Sequence, residues 1–293
     1  MAATDTDAPK QTSTVQLWAA LIIAFLGWMF DGMEMGLYSW AMPQALRDLM
    51  GLGPAEIGRP LGITVALFLS GMSLGGVVFG RLGDHIGRTK TLVVTVLMYA
   101  TFTGLSGFCQ NFGQLAACRF LGAMGLGGEW GLGVALVMES WPNASRPLLA
   151  GLLGAAANVG FLIAGGITML LARYGEPWRA ALGIGQDGQV WRLALVAGFL
   201  PAVLTFVIRL FVKEPQRWVQ SRQRGERASF AELLAPALRR QTLMGVLVSA
   251  VAVLGMWGVY QAWLQAWVSD LVTRSPELQG AAAAVITEAT AKA

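Results

Sequence analysis

Apolar runs of about twenty residues recur along this chain, and short polar or charged connections separate them. A helix needs ~20 apolar residues to cross the ~30 Å hydrocarbon core of a bilayer. Charged residues make up 13% of the 293 residues, against ~25% in soluble domains. We therefore expect an all-α membrane protein. Its seven expected transmembrane spans are residues 17–42, 61–80, 91–110, 115–138, 148–171, 191–212 and 242–268.

The spacing of these runs predicts four regions. Residues 1–14 are a polar, disordered tail, and residues 15–212 form a six-helix bundle. Residues 213–241 form a basic linker, and residues 242–293 hold the seventh span and the start of a second bundle. Thirteen Lys and Arg residues fall on the side of the N-terminus and seven on the other side. The positive-inside rule then predicts a multi-pass protein of the cell (inner) membrane with a cytoplasmic N-terminus.

Two acidic residues interrupt the first apolar run. Asp31 and Glu34 are three residues apart, so they share one face of a helix. An ionised carboxylate at a helix centre costs about 2.5–3.5 kcal/mol on insertion. Such residues mark ion or proton pathways, although a carboxylate at the mouth of a tilted helix stays solvated. Because the flanking residues are apolar, we predict that both carry the coupled proton.

The fourth run holds a second pair of charges, Arg119 and Glu129. Ten residues on a helix give an angular offset of about 80°, so both can border one cavity. Arg119 is a partner for an anionic substrate or for a carboxylate of the first span, and we expect Glu129 to line the same path. Gly127 and Gly131 have the small-xxx-small spacing that lets membrane helices pack closely.

Three motifs resemble those of a known family. The turn Gly-Arg-Leu-Gly-Asp-His-Ile-Gly-Arg at residues 80–88 resembles the signature loop of the major facilitator superfamily. Asp-Gly-Met-Glu at residues 31–34 is similar to the D-G-x-D motif of the sialate:proton and aromatic acid:proton symporter branches. Arg-Phe-x₄-Gly-x-Gly-Gly-Glu-Trp-Gly at residues 119–131 resembles the sialate:proton symporters.

The resemblance implies proton-coupled symport of a carboxylate or sugar acid by alternating access, with no cofactor. The expected partners are the lipid bilayer, a small organic anion and protons, with no nucleic acid. The resemblance also implies a cytoplasmic gate that is formed by Gly80, Arg81, Asp84, Gly87, Arg88 and Glu139. The family normally has twelve spans, so seven spans correspond to one half and the start of the second.

Other functions stay open at this point. Half a carrier can be a remnant, a sensor or a scaffold, and an uncoupled sugar carrier is a further alternative. Two such chains pairing, or a separate second half, would complete a pathway. We do not expect an enzyme: Gly183–Gly188 matches G-x-G-x-x-G, but no strand–helix unit surrounds it. Cys109 and Cys118 are expected to pack as small apolar residues.

Overall fold

The computed structural model describes residues 14–53, 56–141, 146–201, 203, 214–224, 230–255, 267, 271 and 275. Every regular element among these residues is helical, which confirms the all-α prediction. The chain forms two compact units, residues 1–227 and 228–293. The predicted disordered tail lies outside the described residues, except for Thr14, which begins the first helix.

The first unit is built mainly from long helices. They are α1 (Thr14–Met50), α2 (Gly58–Ile86), α3 (Arg88–Ser106), α4 (Phe112–Ser140) and α5 (Arg146–Leu182). The short helix α6 (Trp191–Val196), a 3₁₀ turn (Ala197–Phe199) and α7 (Gln216–Gln223) follow. The second unit contains α8 (Phe230–Leu233) and α9 (Arg239–Leu254).

Within the described residues, four helices are long and apolar enough to cross a membrane: Thr14–Met50, Gly58–Ile86, Phe112–Ser140 and Pro147–Leu182. Helices α1 and α5 each have 37 residues, or about 55 Å at 1.5 Å per residue. Both helices extend past the predicted spans. The length of an apolar run reflects the thickness of the hydrocarbon core, whereas the helix can continue into the polar residues that flank the run. The third predicted span is the 19-residue helix α3, which is rich in threonine. The sixth predicted span is described at residues 191–201 and 203, and the seventh at residues 242–255 and 267. The remaining residues of both spans lie outside the described part of the chain.

Helix α4 packs along α2 and α3, and α1 packs along α5. Close approach of α2 and α4 depends on two glycines. Gly75 lies against the backbone of Met124, and Gly127 lies against the backbone of Met72, so a Cβ at either glycine would overlap the facing carbonyl group. At Gly131, in contrast, a Cβ would have no described atom within 4 Å. The small-xxx-small pair of the sequence therefore supplies one contact residue, Gly127.

A buried arginine connects the start of α6 with the turn between α3 and α4. Arg192, at the start of α6, donates from Nη1 to the carbonyl oxygens of Gly107 at 2.9 Å and Cys109 at 2.7 Å. Asp48 of α1 accepts from the indole nitrogen of Trp191 at 3.2 Å. These bonds fix α6 to the end of α1 and to the turn between α3 and α4.

Candidate functional site

A buried ion pair joins α1 to α4 at the centre of the first unit. Arg119 Nη1 is paired with Glu34 Oε1, and the two side chains are 1% and 3% exposed. Thr103 of α3 donates to the same carboxylate oxygen at 3.5 Å. The guanidinium carbon lies 4.3 Å from the ring centroid of Tyr38 and 5.2 Å from that of Phe68. Of the two partners that the sequence leaves open for Arg119, the structure pairs it with a carboxylate of the first helix.

The pair does not use all the hydrogen-bonding capacity of its members. Within the described residues, Nε and Nη2 of Arg119 and Oε2 of Glu34 are buried without a hydrogen-bond partner. Buried polar groups in proteins are usually hydrogen-bonded. Arg119 therefore keeps donors for a further ligand while its charge is balanced by Glu34.

Asp31 lies one turn before Glu34 and has a different set of contacts. Its Oδ2 accepts from the indole nitrogen of Trp130 on α4 at 2.7 Å. Its Oδ1 is buried with no hydrogen-bond partner in the described part of the chain. The Trp130 ring stacks on Trp28 of α1, with centroids 5.4 Å apart and planes at 26°. An indole, and not a cation, therefore holds Asp31.

Glu129 of α4 is 2% exposed and lies against Gly27 of α1. A Cβ at Gly27 would overlap the Glu129 carboxylate, so the glycine makes room for it. Among described groups, Oε2 of Glu129 has no hydrogen-bond partner. The sequence places Arg119 and Glu129 on one path, but the structure gives each a separate contact with α1.

Tyr99 of α3 is a site residue that sequence reasoning missed. Its side chain is 0% exposed, and its hydroxyl has no hydrogen-bond partner among the residues that the structure describes. Tyr99 packs against Gly125 of α4, one turn before Glu129, and a Cβ at Gly125 would overlap the Tyr99 backbone nitrogen. A tyrosine inside a threonine-rich span gives no signal in the sequence, because only the packing of α3 on α4 brings it to this part of the bundle.

The turn between α2 and α3 brings the predicted gate residues together. Arg88 Nη1 lies 2.6 Å from Asp84 Oδ1, and Arg88 Nη2 lies 3.2 Å from Glu139 Oε1 at the end of α4. Gly87 has φ 119°, a conformation that non-glycine residues rarely adopt. Arg81 contributes its carbonyl oxygen, which lies 2.8 Å from His85 Nδ1.

The sixth predicted gate residue, Gly80, lies on α2, where a Cβ would have no described atom within 4 Å. No close approach therefore requires a glycine at this position in the described structure. Arg88 is the residue that joins the turn to α4.

A carboxylate from after the sixth helix completes this turn, and the sequence analysis did not assign it a role. Glu214 Oε2 accepts from the backbone nitrogen of Thr89 at 3.1 Å, and its Oε1 accepts from that of Lys90 at 3.2 Å. Both amides belong to the first turn of α3, where the helix itself supplies no acceptor and negative charge is favoured. Trp218 of α7 donates to the Asp84 carbonyl oxygen at 3.2 Å. The signal that the sequence offered for this role was an acidic residue followed by a proline, just after the sixth predicted span.

Metal binding has no geometric support in the described part of the chain. No three His, Cys, Asp or Glu side chains there are placed to share a metal ion. What the arrangement offers is a set of buried carboxylates, one guanidinium and several indole and phenol donors. Such a set can bind a proton and a small polar ligand.

Comparison with known proteins identifies the family. Residues 17–287 match the family model described as Major Facilitator Superfamily. The chain is 32% identical over 268 residues to the "Probable 4-methylmuconolactone transporter" of Cupriavidus pinatubonensis, covering 91% of this chain and 56% of that protein. It is 29% identical over 219 residues to the "Sialic acid transporter NanX" of Escherichia coli, covering 75% and 49%.

A solved structure shares the fold. The inward open conformation of the xylose transporter XylE from E. coli has a TM-score of 0.59 and 20% identity, covering 80% of this chain and 56% of that chain. The chain thus spans about half the length of the relatives that it matches. The family match covers most of the chain, and the described helices include four that can cross a membrane. This chain belongs to the Major Facilitator Superfamily.

Proposed function

We propose that this chain contributes the proton-coupling half of a symporter that moves a small organic anion across the cell (inner) membrane. The observation that carries the proposal is the buried contact of Glu34 with Arg119 beside a second buried carboxylate, Asp31. Burying charges is costly unless they are paired. Three carboxylates and one guanidinium at the centre of a helical bundle therefore have a functional explanation, and proton binding is the simplest one.

The relatives' names support an organic acid as the cargo. They include transport proteins for 4-methylmuconolactone, sialic acid and niacin. Arg119 keeps two unpaired donors, Nε and Nη2, in the described structure. A planar guanidinium matches the geometry of a carboxylate. We assign Arg119 and Glu129 to the substrate path and Asp31 and Glu34 to proton coupling.

Alternating access requires contacts that form and break at one end of the bundle. Arg88 bridges Asp84 and Glu139, and so ties the α2–α3 turn to the end of α4. We assign the cluster to the gate, with Gly87 shaping the turn and Gly80 and Arg81 on the last turns of α2. Lys and Arg are in excess on the side of the α2–α3 turn and of the N-terminus. By the positive-inside rule, this excess supports a cytoplasmic position for both.

The test is uptake by the full chain in proteoliposomes with an imposed inward proton gradient. Radiolabelled sialic acid, niacin and muconate are the probes. A proton that crosses a potential of 100 mV provides about 2.3 kcal/mol, enough to concentrate the anion. We expect uptake that a protonophore abolishes and that Asp31→Asn and Glu34→Gln each reduce at least about tenfold. Glu232→Gln, in the second unit, is the matched control and leaves uptake unchanged.

Uptake that is insensitive to the protonophore would favour an uncoupled carrier, and unchanged uptake in both carboxylate variants would remove their assigned role. A second candidate function rests on Arg119 alone, because its unpaired Nε and Nη2 can bind an anion whether or not that anion is moved. A membrane protein that binds the anion without moving it would retain saturable binding and show no uptake at any gradient.

A further inference from the structure

The buried charges at the contact of α1 with α4 do not balance. In the described part of α1 to α4, the central carboxylates are Asp31, Glu34 and Glu129, while Arg119 is the one central guanidinium. Arg119 is engaged by Glu34. Neither residues 60–80 of α2 nor residues 147–172 of α5 contain any charged residue. Arg179 and Arg192 are also buried, but Arg179 pairs with acidic residues near its own end of α5 and Arg192 donates to backbone carbonyl groups. Neither Asp31 nor Glu129 therefore forms an ion pair with a cation of the described helices.

The carboxyl groups of Asp31 and Glu129 lie beside successive turns of α1, although Glu129 belongs to α4. Glu129 lies against Gly27, and Asp31 follows Gly27 by four residues on the same face of α1. Four residues rise about 6 Å along a helix. Trp130, which adjoins Glu129 in the sequence, holds Asp31 through its indole nitrogen. Both carboxyl groups therefore lie at the contact of α1 with α4, about one helical turn apart along α1.

A third polar group comes from α3, where Tyr99 packs against Gly125, one turn before Glu129 on α4. The Tyr99 hydroxyl is fully buried and has no hydrogen-bond partner within the described chain. A buried hydroxyl is rarely left without an acceptor. The Tyr99 hydroxyl is thus an unused donor, and Oδ1 of Asp31 and Oε2 of Glu129 are unused acceptors. The three atoms together form a hydrogen-bond network that lacks a proton or a bridging group.

We propose that Asp31 and Glu129, with the hydroxyl of Tyr99, hold one exchangeable proton at a site separate from the Glu34–Arg119 ion pair. Two carboxylates that share an apolar site are stable when a single proton lies between them. A proton from solvent converts one carboxylate to a carboxylic acid, which donates to the other carboxylate. The Tyr99 hydroxyl donates to a remaining carboxylate oxygen. Release returns the same proton, and no other bond changes.

This inference deepens the proposed proton coupling, and its role in transport rests on that proposal. The test does not require transport. Infrared spectra of the full chain in lipid vesicles resolve the C=O stretch of a protonated carboxyl group. We expect such a band at neutral pH and expect it to disappear as the pH is raised. Asp31→Asn and Glu129→Gln each shift the band, because the remaining carboxyl group loses its partner. The double variant removes the band.

Tyr99→Phe keeps the ring and removes only the hydroxyl, so it tests the site where a carboxylate variant does not fold. It is expected to shift the band, and Glu139→Gln, in the turn cluster, leaves the band unchanged. A band that persists in the double variant and disappears in Glu34→Gln would overturn the proposal, as would the absence of any protonated carboxyl band. A chain with the expected spectra and no uptake under any gradient would instead count against the symport function alone.

Discussion

Arg119 lies over the ring of Tyr38, with its guanidinium carbon 4.3 Å from the ring centroid. The Tyr38 hydroxyl donates to Thr64 Oγ1 at 3.1 Å, and Thr64 in turn donates to the Leu61 carbonyl oxygen at 2.8 Å. The ring is thus held from α2 while it supports an arginine of α4. A buried cation on an aromatic face gains more than an exposed one, because water does not compete for it.

We predict that Arg119→Ala destabilises the protein strongly, by about 3–5 kcal/mol, because it leaves Glu34 buried without its cation. Arg119→Lys keeps the charge and loses the flat contact with Tyr38, so we expect a smaller loss of about 1–2 kcal/mol. The measurement is the free energy of unfolding in detergent. Combining Arg119→Ala with Glu34→Gln restores part of the loss. Equal losses in the Ala and Lys variants would show that the charge contributes nothing.

Gly160 of α5 lies against the backbone of Met29 and Met33 on α1, and a Cβ there would overlap both. We predict that Gly160→Ala separates the helices and lowers the free energy of unfolding by about 1–3 kcal/mol. Gly154→Ala is the matched control on the same helix, since a Cβ at Gly154 has no described atom within 4 Å. Thermal unfolding of both variants measures the difference. Similar melting temperatures for the two would mean that α1 and α5 do not require this close approach.

Glu214 caps the N-terminus of α3 by accepting from two backbone amides. We predict that Glu214→Ala lowers the free energy of unfolding by about 0.5–2 kcal/mol, the usual loss for a missing helix cap. Hydrogen exchange is expected to accelerate at Thr89 and Lys90 in particular. Glu232→Ala provides the comparison, since it removes a carboxylate from the second unit. Unchanged exchange at both amides would contradict the capping role.

Cys109 lies in the turn between α3 and α4, where burial, together with the nearby Cys118, raises the pKa of its thiol to about 12. The two sulfur atoms are 3.9 Å apart, and both cysteines are free. A raised pKa keeps the thiol protonated, so reaction with a maleimide is expected to be slow at pH 7 and to accelerate as the pH approaches that value. Labelling in a Cys118→Ser variant isolates Cys109, and denaturant exposes it fully. Rapid labelling of the folded protein at pH 7 would contradict the burial of this thiol.

The long apolar helices and the family were predictable from the sequence, because hydropathy and a short glycine-rich turn are local signals. The match of residues 17–287 to the family model confirms the family. A carboxylate of the first span was one of the two partners that the chemistry of arginine left open for Arg119, and the structure selects Glu34. The positions of Asp31 and Glu129, by contrast, depend on Gly27 and Trp130, whose roles appear only when α1 packs on α4. The same holds for Tyr99, which comes to Gly125 of α4 through tertiary packing alone.

The cap on α3 has a consequence for how the chain is made. Glu214 follows Thr89 by 125 positions. A ribosome therefore finishes α3 long before the residue that completes its first turn has been synthesised. Until then, the amides of Thr89 and Lys90 rely on water or other temporary acceptors, and the insertion of the third span precedes its final anchoring. The cap on α3 can therefore form only after the chain has been synthesised as far as Glu214.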